Sequence, residues 1–158
     1  MPERRADTKR ACLWLVAIGL FITVGFLTVG QAYADGPSCT LKTLKGRYLF
    51  SEPASLLPPA FGITEPTPGN AAGFHIFNGD GTGTDIVTLR IGGVTIFSAA
   101  VVPFTYPVNA DCTGSYTVLN GGPSFDLFIA PDGDSIAAIT TAPPGNQASD
   151  ISRRVSRQ

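Results

Sequence analysis

The fold class is decided by residues 72–91, which read AGFHIFNGDGTGTDIVTLRI. Two runs rich in aromatic and β-branched residues flank the central Asn-Gly-Asp-Gly, which is typical of two strands joined by a turn. Asn, Asp and Gly accept the positive φ of a tight turn, so residues 78–81 predict a hairpin. In the first strand of this hairpin, His75 and Phe77 point to the same face.

The same pattern extends over most of the chain. From Leu44 onward, short strand-like runs are separated by Gly, Pro, Asn and Asp, and no stretch has a helical period. Because the loops are short, the sequence predicts an all-β fold with sequential antiparallel pairing, closed into an up-and-down barrel of about 8 strands. A two-sheet β-sandwich is the alternative. The predicted strands cover residues 46–51, 72–77, 84–91, 94–104, 105–108, 115–119, 124–130, 135–142 and 149–155.

The N-terminal residues have the order of an export signal. Four basic residues within the first ten are followed by an apolar run, Leu13–Val29, and by Ala32-Tyr33-Ala34. This pattern predicts a signal peptide over residues 1–34, with a helical apolar part and cleavage after Ala34. A single membrane anchor is the alternative. We therefore expect a secreted or periplasmic protein whose single β-barrel domain spans residues 35–158.

Two cysteines remain after the predicted cleavage, Cys39 and Cys112. In a small exported domain, a lone cysteine pair predicts a disulfide, and two free thiols are the alternative. A zinc site is disfavoured, because one histidine and two distant cysteines do not make a structural ligand set. We expect no metal and no cofactor.

The charge of the mature chain limits its partners. Seven basic and ten acidic side chains follow residue 34, which gives a net charge of −3. An acidic chain gains nothing from the release of phosphate counterions, so we expect no nucleic-acid partner. We also expect no membrane attachment once the signal is removed. The oligomeric state is left open.

No motif in the sequence predicts a catalytic residue. His75 is the only histidine, and it is expected to be half-buried or exposed on a strand. The acidic residues all appear close to turns, where water would keep them ionised, so a carboxylate pair for catalysis is not expected. An enzyme would need polar side chains to converge in a barrel cavity, and the candidates are Tyr48, His75 and Arg90.

Five prolines make Glu52–Asn70 a predicted long loop. This segment contains Leu56, Leu57, Phe61 and Ile63. An apolar loop across the mouth of a barrel would form a lid over an apolar ligand. A plug that completes the core is the alternative.

Several segments together resemble a family of small exported bacterial proteins of unknown function. They are Cys39, Gly46–Phe50, Phe77–Gly83, Asp111–Val118 and Ser152–Arg154. These motifs are strand starts, turns and a cysteine pair, so the resemblance implies a structure and no reaction. The strand count is also similar to that of the closed barrels of the calycin and allene oxide cyclase type, without matching catalytic positions.

Three functional hypotheses follow from these observations. The first is an exported, non-enzymatic barrel that is structural or binds a small apolar ligand or a protein partner. The second is a cyclase-like or isomerase-like enzyme that shapes its substrate in the barrel cavity. The third is a surface or assembly protein that uses an exposed sheet edge.

Overall fold

A computed structural model describes residue 36 and residues 38–157, so the predicted signal peptide lies outside the described residues. The described chain forms a closed barrel of eight antiparallel strands, in which each strand pairs with its sequence neighbours and the last strand pairs with the first. This confirms the predicted up-and-down barrel rather than the sandwich. No helix in this part of the chain is long and apolar enough to span a membrane. The strands are β1 (Gly46–Leu56), β2 (Thr67–Phe77), β3 (Thr82–Ile91), β4 (Val94–Thr105), β5 (Thr113–Val118), β6 (Ser124–Ile129), β7 (Ser135–Ala142) and β8 (Asn146–Ser156), and two 3-10 helices cover Leu41–Leu44 and Ala60–Gly62.

The predicted loop over residues 52–70 is wrong in extent. β1 continues to Leu56 and β2 begins at Thr67, so that only residues 57–66 connect them. The ladder between β1 and β8 has no paired residues between Leu49 and Ala54, and Pro53 lies in this gap. Because Pro53 has no partner in that ladder, its missing N–H costs no hydrogen bond there. β1 can therefore continue through a proline, a residue that usually interrupts a strand.

The predicted strand over residues 105–108 is also wrong. Thr105 is the last residue of β4, and Val108 makes only an isolated bridge to Gly114. Pro107 lies between them and cannot donate to a ladder. The chain turns between these residues and β5, because the N–H of Cys112 donates to the carbonyl oxygen of Asn109.

One end of the barrel is closed by the N-terminal segment. Leu44 is fully buried there, and the described structure contains the predicted disulfide between Cys39 and Cys112. Both cysteines are buried, and the N–H of Cys39 donates to the carbonyl oxygen of Ala110. The disulfide therefore holds the start of the domain against the turn before β5.

Aromatic rings fill the interior next to this closed end. Phe77 contacts Tyr48, Phe104 and Tyr106 with ring centroids 4.9–5.4 Å apart, mostly edge to face. Gly83 makes room for this layer, because a Cβ at that position would lie 2.2 Å from Cζ of Phe104. The layer forms the main hydrophobic core and separates the closed end from the rest of the interior.

Candidate functional site

Beyond the aromatic layer, the barrel contains a partly open cavity of about 110 Å³. It lies toward the end of the barrel where β1 ends and β2 begins, and residues from β1 to β5, the loop before β6 and β6 itself line it. Nine of the twelve lining residues are apolar, and the other three are Glu52, Asp85 and Tyr116. Apolar walls with a few convergent polar groups are typical of ligand sites.

His75 and Asp85 form a buried pair at the cavity. They are direct partners in the β2–β3 ladder, and Nδ1 of His75 lies 2.6 Å from Oδ1 of Asp85. The ring of His75 stacks on Phe50 with centroids 4.0 Å apart. The expectation of a half-buried or exposed histidine is therefore wrong, since only 3% of His75 is exposed. An inward strand position and a partner across the ladder account for this burial.

Two further carboxyl groups face the same interior, on β1 and β8. The paired residues on both sides of the gap in the β1–β8 ladder share one register, which places Glu52 opposite Asp150. Burial, together with the nearby charge of Asp150, raises the pKa of Glu52 to about 7. Burial also raises the pKa of Asp150, although Ser152 donates a hydrogen bond of 2.5 Å to its Oδ2.

The expectation that every acidic residue lies near a turn in water is wrong for these three. Glu52, Asp85 and Asp150 occupy inward positions within strands. For Asp85 a signal existed in the sequence, because it shares a strand face with Val87 and Leu89. For Glu52 the signal was hidden, because Pro53 made the segment look like a loop.

Tyr116 is the fourth polar group of the site. Only 4% of the residue is exposed, and its ring lies parallel to that of Phe125 with centroids 4.5 Å apart. Burial raises its pKa well above the usual value, and the charges of the three carboxyl groups act in the same direction. Tyr116 lines the cavity, and its hydroxyl makes no hydrogen bond to any residue that the structure describes.

The three polar residues predicted from the sequence do not converge. Of these, only His75 contacts residues of the cavity wall. Tyr48 lies at the closed end, where its hydroxyl donates to the carbonyl oxygen of Gly133 and accepts from Arg154. Arg90 is exposed outside the barrel and donates to the carbonyl oxygen of Gly93.

The four predicted lid residues lie at the end of β1 and in the connection from β1 to β2. Leu56 is buried at the end of β1, whereas Phe61 is about half exposed. Leu57 and Ile63 are partly buried, and the N–H of Leu57 donates to the carbonyl oxygen of Gly145. None of the four lines the cavity among the described residues.

No protein-family model matches the sequence, and a search of curated proteins finds no significant match. The resemblance to small exported bacterial proteins therefore stays a prediction. Within the described residues, no group of three or more His, Cys, Asp and Glu side chains is arranged to hold a metal ion. Inferences about function thus depend on the geometry of the cavity.

Proposed function

We propose that this protein is an exported β-barrel that binds a small, largely apolar ligand in its interior. The observation that carries the proposal is the cavity of about 110 Å³, with nine apolar residues among twelve. A dry cavity of about 150 Å³ accepts benzene, which has six non-hydrogen atoms, so this smaller volume suits about four or five of them, or one end of a longer molecule.

Two features support export. Residues 1–34 have the order of a signal peptide. The cysteine pair is joined in a buried disulfide, and such bonds persist mainly in oxidising compartments. A secreted or periplasmic location is consistent with both, and so is the family that the sequence resembles.

A pair of matched substitutions tests the binding proposal. Ala71 lines the cavity, whereas Ala72 points outward on the same strand. We expect Ala71→Leu to fill the cavity and to abolish the retention of ligand in native mass spectrometry of protein purified from an exporting host. Ala72→Leu adds the same atoms outside and should keep the ligand.

Two outcomes of the native mass spectrometry experiment would contradict the binding proposal. One is a wild-type protein that carries no ligand and binds no small apolar probe when titrated. The other is a bound ligand that Ala71→Leu leaves in place, because the ligand would then occupy another site. Mass also reports the new N-terminus, which is expected at Asp35.

A separate observation favours self-assembly through a sheet edge as a second candidate function. β4 pairs with β5 only at Phe104 and Thr105, so within the described residues the edge of residues 94–102 that faces β5 has no ladder partner. Val101 and Ile96 are exposed beside this edge. An unpaired strand with apolar side chains is a template for another strand.

We expect this edge to pair with the same edge of a second copy. In sedimentation velocity, Val101→Lys should shift the protein toward monomer. Val155→Lys provides the control, since Val155 is also exposed but lies on β8. A wild-type protein that stays monomeric at millimolar concentration excludes this second function.

A further inference from the structure

We propose that the ligand of the cavity is a small organic cation, in which an ammonium group meets Glu52, Asp85 and Tyr116 and a short apolar body contacts the remaining wall. The inference rests on the proposed binding function and deepens it by naming the class of ligand. Three observations around the cavity support it, namely the excess of acidic over basic side chains, the oxygen atoms without a donor and the aromatic rings.

The charges around the cavity are unbalanced. Three carboxyl groups face the interior, and His75 is the only basic side chain beside them among the described residues. His75 already interacts with Asp85 through Nδ1. Arg154 lies at the closed end, where it donates to Tyr48 and Gly133. A cationic ligand would therefore supply the missing positive charge.

Two oxygen atoms beside the cavity have no donor among the described residues, and the one on Asp150 is itself fully buried. Oδ1 of Asp150 is buried without a hydrogen-bond partner in the described structure. Tyr116 lines the cavity, and its hydroxyl makes no hydrogen bond to a described residue, although the residue is more than nine-tenths buried. Unpaired buried polar atoms are rare in native proteins. The hydroxyl and the carboxylate of Glu52 can accept the N–H groups of an ammonium ion.

Aromatic rings complete the site. Phe50, Phe97 and Phe125 line the cavity together with Tyr116. A cation near the face of such a ring is attracted by its quadrupole, and the attraction increases where water is excluded. Carboxylates and aromatic rings in one small cavity are thus a suitable environment for an ammonium group.

The observations disfavour the other classes of small ligand. An anion would be repelled by the carboxyl groups. A purely apolar ligand would leave those groups desolvated without any compensating interaction, which is unfavourable. A metal ion would need a set of protein ligands, and the described residues contain no such group.

Three probes of nearly equal size test the inference on the wild-type protein. They are isobutylammonium, isobutanol and isobutyrate, titrated by isothermal calorimetry at pH 8. An alkylammonium ion with a pKa of about 10 is charged there. We expect the ammonium probe to bind at least about tenfold more tightly than the alcohol, since hydrogen bonds to charged groups are the stronger ones. The carboxylate probe should not bind.

Glu52→Gln tests the origin of this preference. It keeps the size of the side chain and removes its charge, so the ratio between the ammonium and alcohol probes should fall about tenfold. Glu65→Gln is the matched control, because Glu65 is exposed in the loop between β1 and β2. Circular dichroism of both variants establishes that the barrel is intact.

The dependence on pH gives an independent readout. Glu52 is surrounded by Asp150 from β8, His75 from β2 and Asp85 from β3. Its carboxyl group gains a proton as the pH falls below about 7. Binding of isobutylammonium should therefore weaken between pH 8 and pH 6 in the wild type, and this change should be smaller in Glu52→Gln.

The outcomes separate this inference from the binding function that it assumes. If isobutanol binds as tightly as isobutylammonium, the cationic ligand is excluded while the binding function stands. If no probe binds and the purified protein carries no ligand, both fail. A preference for the ammonium probe that persists unchanged in Glu52→Gln also overturns the inference.

Discussion

Nδ1 of His75 lies 2.6 Å from Oδ1 of Asp85, across the ladder between β2 and β3 and inside the barrel. Both side chains are more than nine-tenths buried. When one partner of such a pair is removed, the other keeps its desolvation penalty without compensation. Loss of either partner of this pair is therefore expected to lower the stability of the barrel.

The first prediction concerns this pair. Asp85→Ala should lower the free energy of unfolding by about 3 kcal/mol, because it leaves the His75 ring buried without its partner. Asp85→Asn keeps an acceptor oxygen of the same shape and should cost less than half as much. Urea denaturation measures both. Equal stability of Asp85→Ala and the wild type would show that the pair does not contribute.

The second prediction concerns pH. Burial raises the pKa of Glu52 from 4.5 to about 7 in the folded state, so the folded protein binds more protons than the unfolded chain between these values. The free energy of unfolding should therefore decrease as the pH rises from about 4.5 to about 7, by about 2 kcal/mol after allowance for partial exposure. Asp150 acts in the same direction, since its pKa is also raised.

Denaturation midpoints across this pH range measure the effect. Glu52→Gln should flatten the dependence, because the amide does not titrate. An increase of stability with pH in the wild type, or an unchanged slope in the variant, would contradict the prediction. Glu65→Gln should leave the slope as it is in the wild type.

The third prediction concerns the disulfide. Cys39 and Cys112 close a loop with a sequence separation of 73 residues. In the chain-entropy model, such a cross-link stabilises the fold by about 4 kcal/mol. The double substitution to serine should lower the free energy of unfolding by about that amount. Intact mass before and after reduction verifies that the wild type carries the bond.

The fourth prediction concerns Arg154 at the closed end. Its Nη2 donates to the hydroxyl of Tyr48 and to the carbonyl oxygens of Gly133 and Thr43. Arg154→Ala removes the donor to Tyr48 and Thr43 and leaves the carbonyl oxygen of Gly133 with the Tyr48 hydroxyl alone, and we expect a loss of about 3 kcal/mol. Arg153→Ala should change the stability by less than about 0.5 kcal/mol, because Arg153 is exposed on the outer face. Similar losses in thermal denaturation of the two variants would contradict this assignment.

Much of the barrel could be predicted because its signals are local. The turn at residues 78–81 and the short loops between the later strands identify the hairpins, and alternation assigns the faces of the strands. Tyr48 and Phe50, for example, share the inward face of β1, in agreement with the alternation of the strand. The errors arose at prolines. Pro53 lies in a gap of the ladder between β1 and β8, and such a gap cannot be recognised before the partner strand is known.

The candidate site was predicted poorly for a related reason. His75 was expected to be half-buried or exposed and was only a candidate for a polar cluster in the cavity, and Arg90, another such candidate, belongs to the outer face, on the side of β3 opposite to Asp85. Glu52, Asp150 and Tyr116 were missed. They lie far apart in the chain, and no local pattern indicates that their side chains share one cavity.

The sequence by itself determined the order of most strands, the turns between them, the faces of most strands and the pairing of the two cysteines that follow residue 34, because these depend on neighbouring residues and on residue counts. Only the tertiary structure decided which inward side chains meet. Closure of β8 onto β1 places Asp150 opposite Glu52, and the register of β2 and β3 places Asp85 beside His75. Pairing between strands that are distant in the sequence depends on the packing of the whole interior. The polar side chains of the cavity are therefore brought together only when the barrel closes.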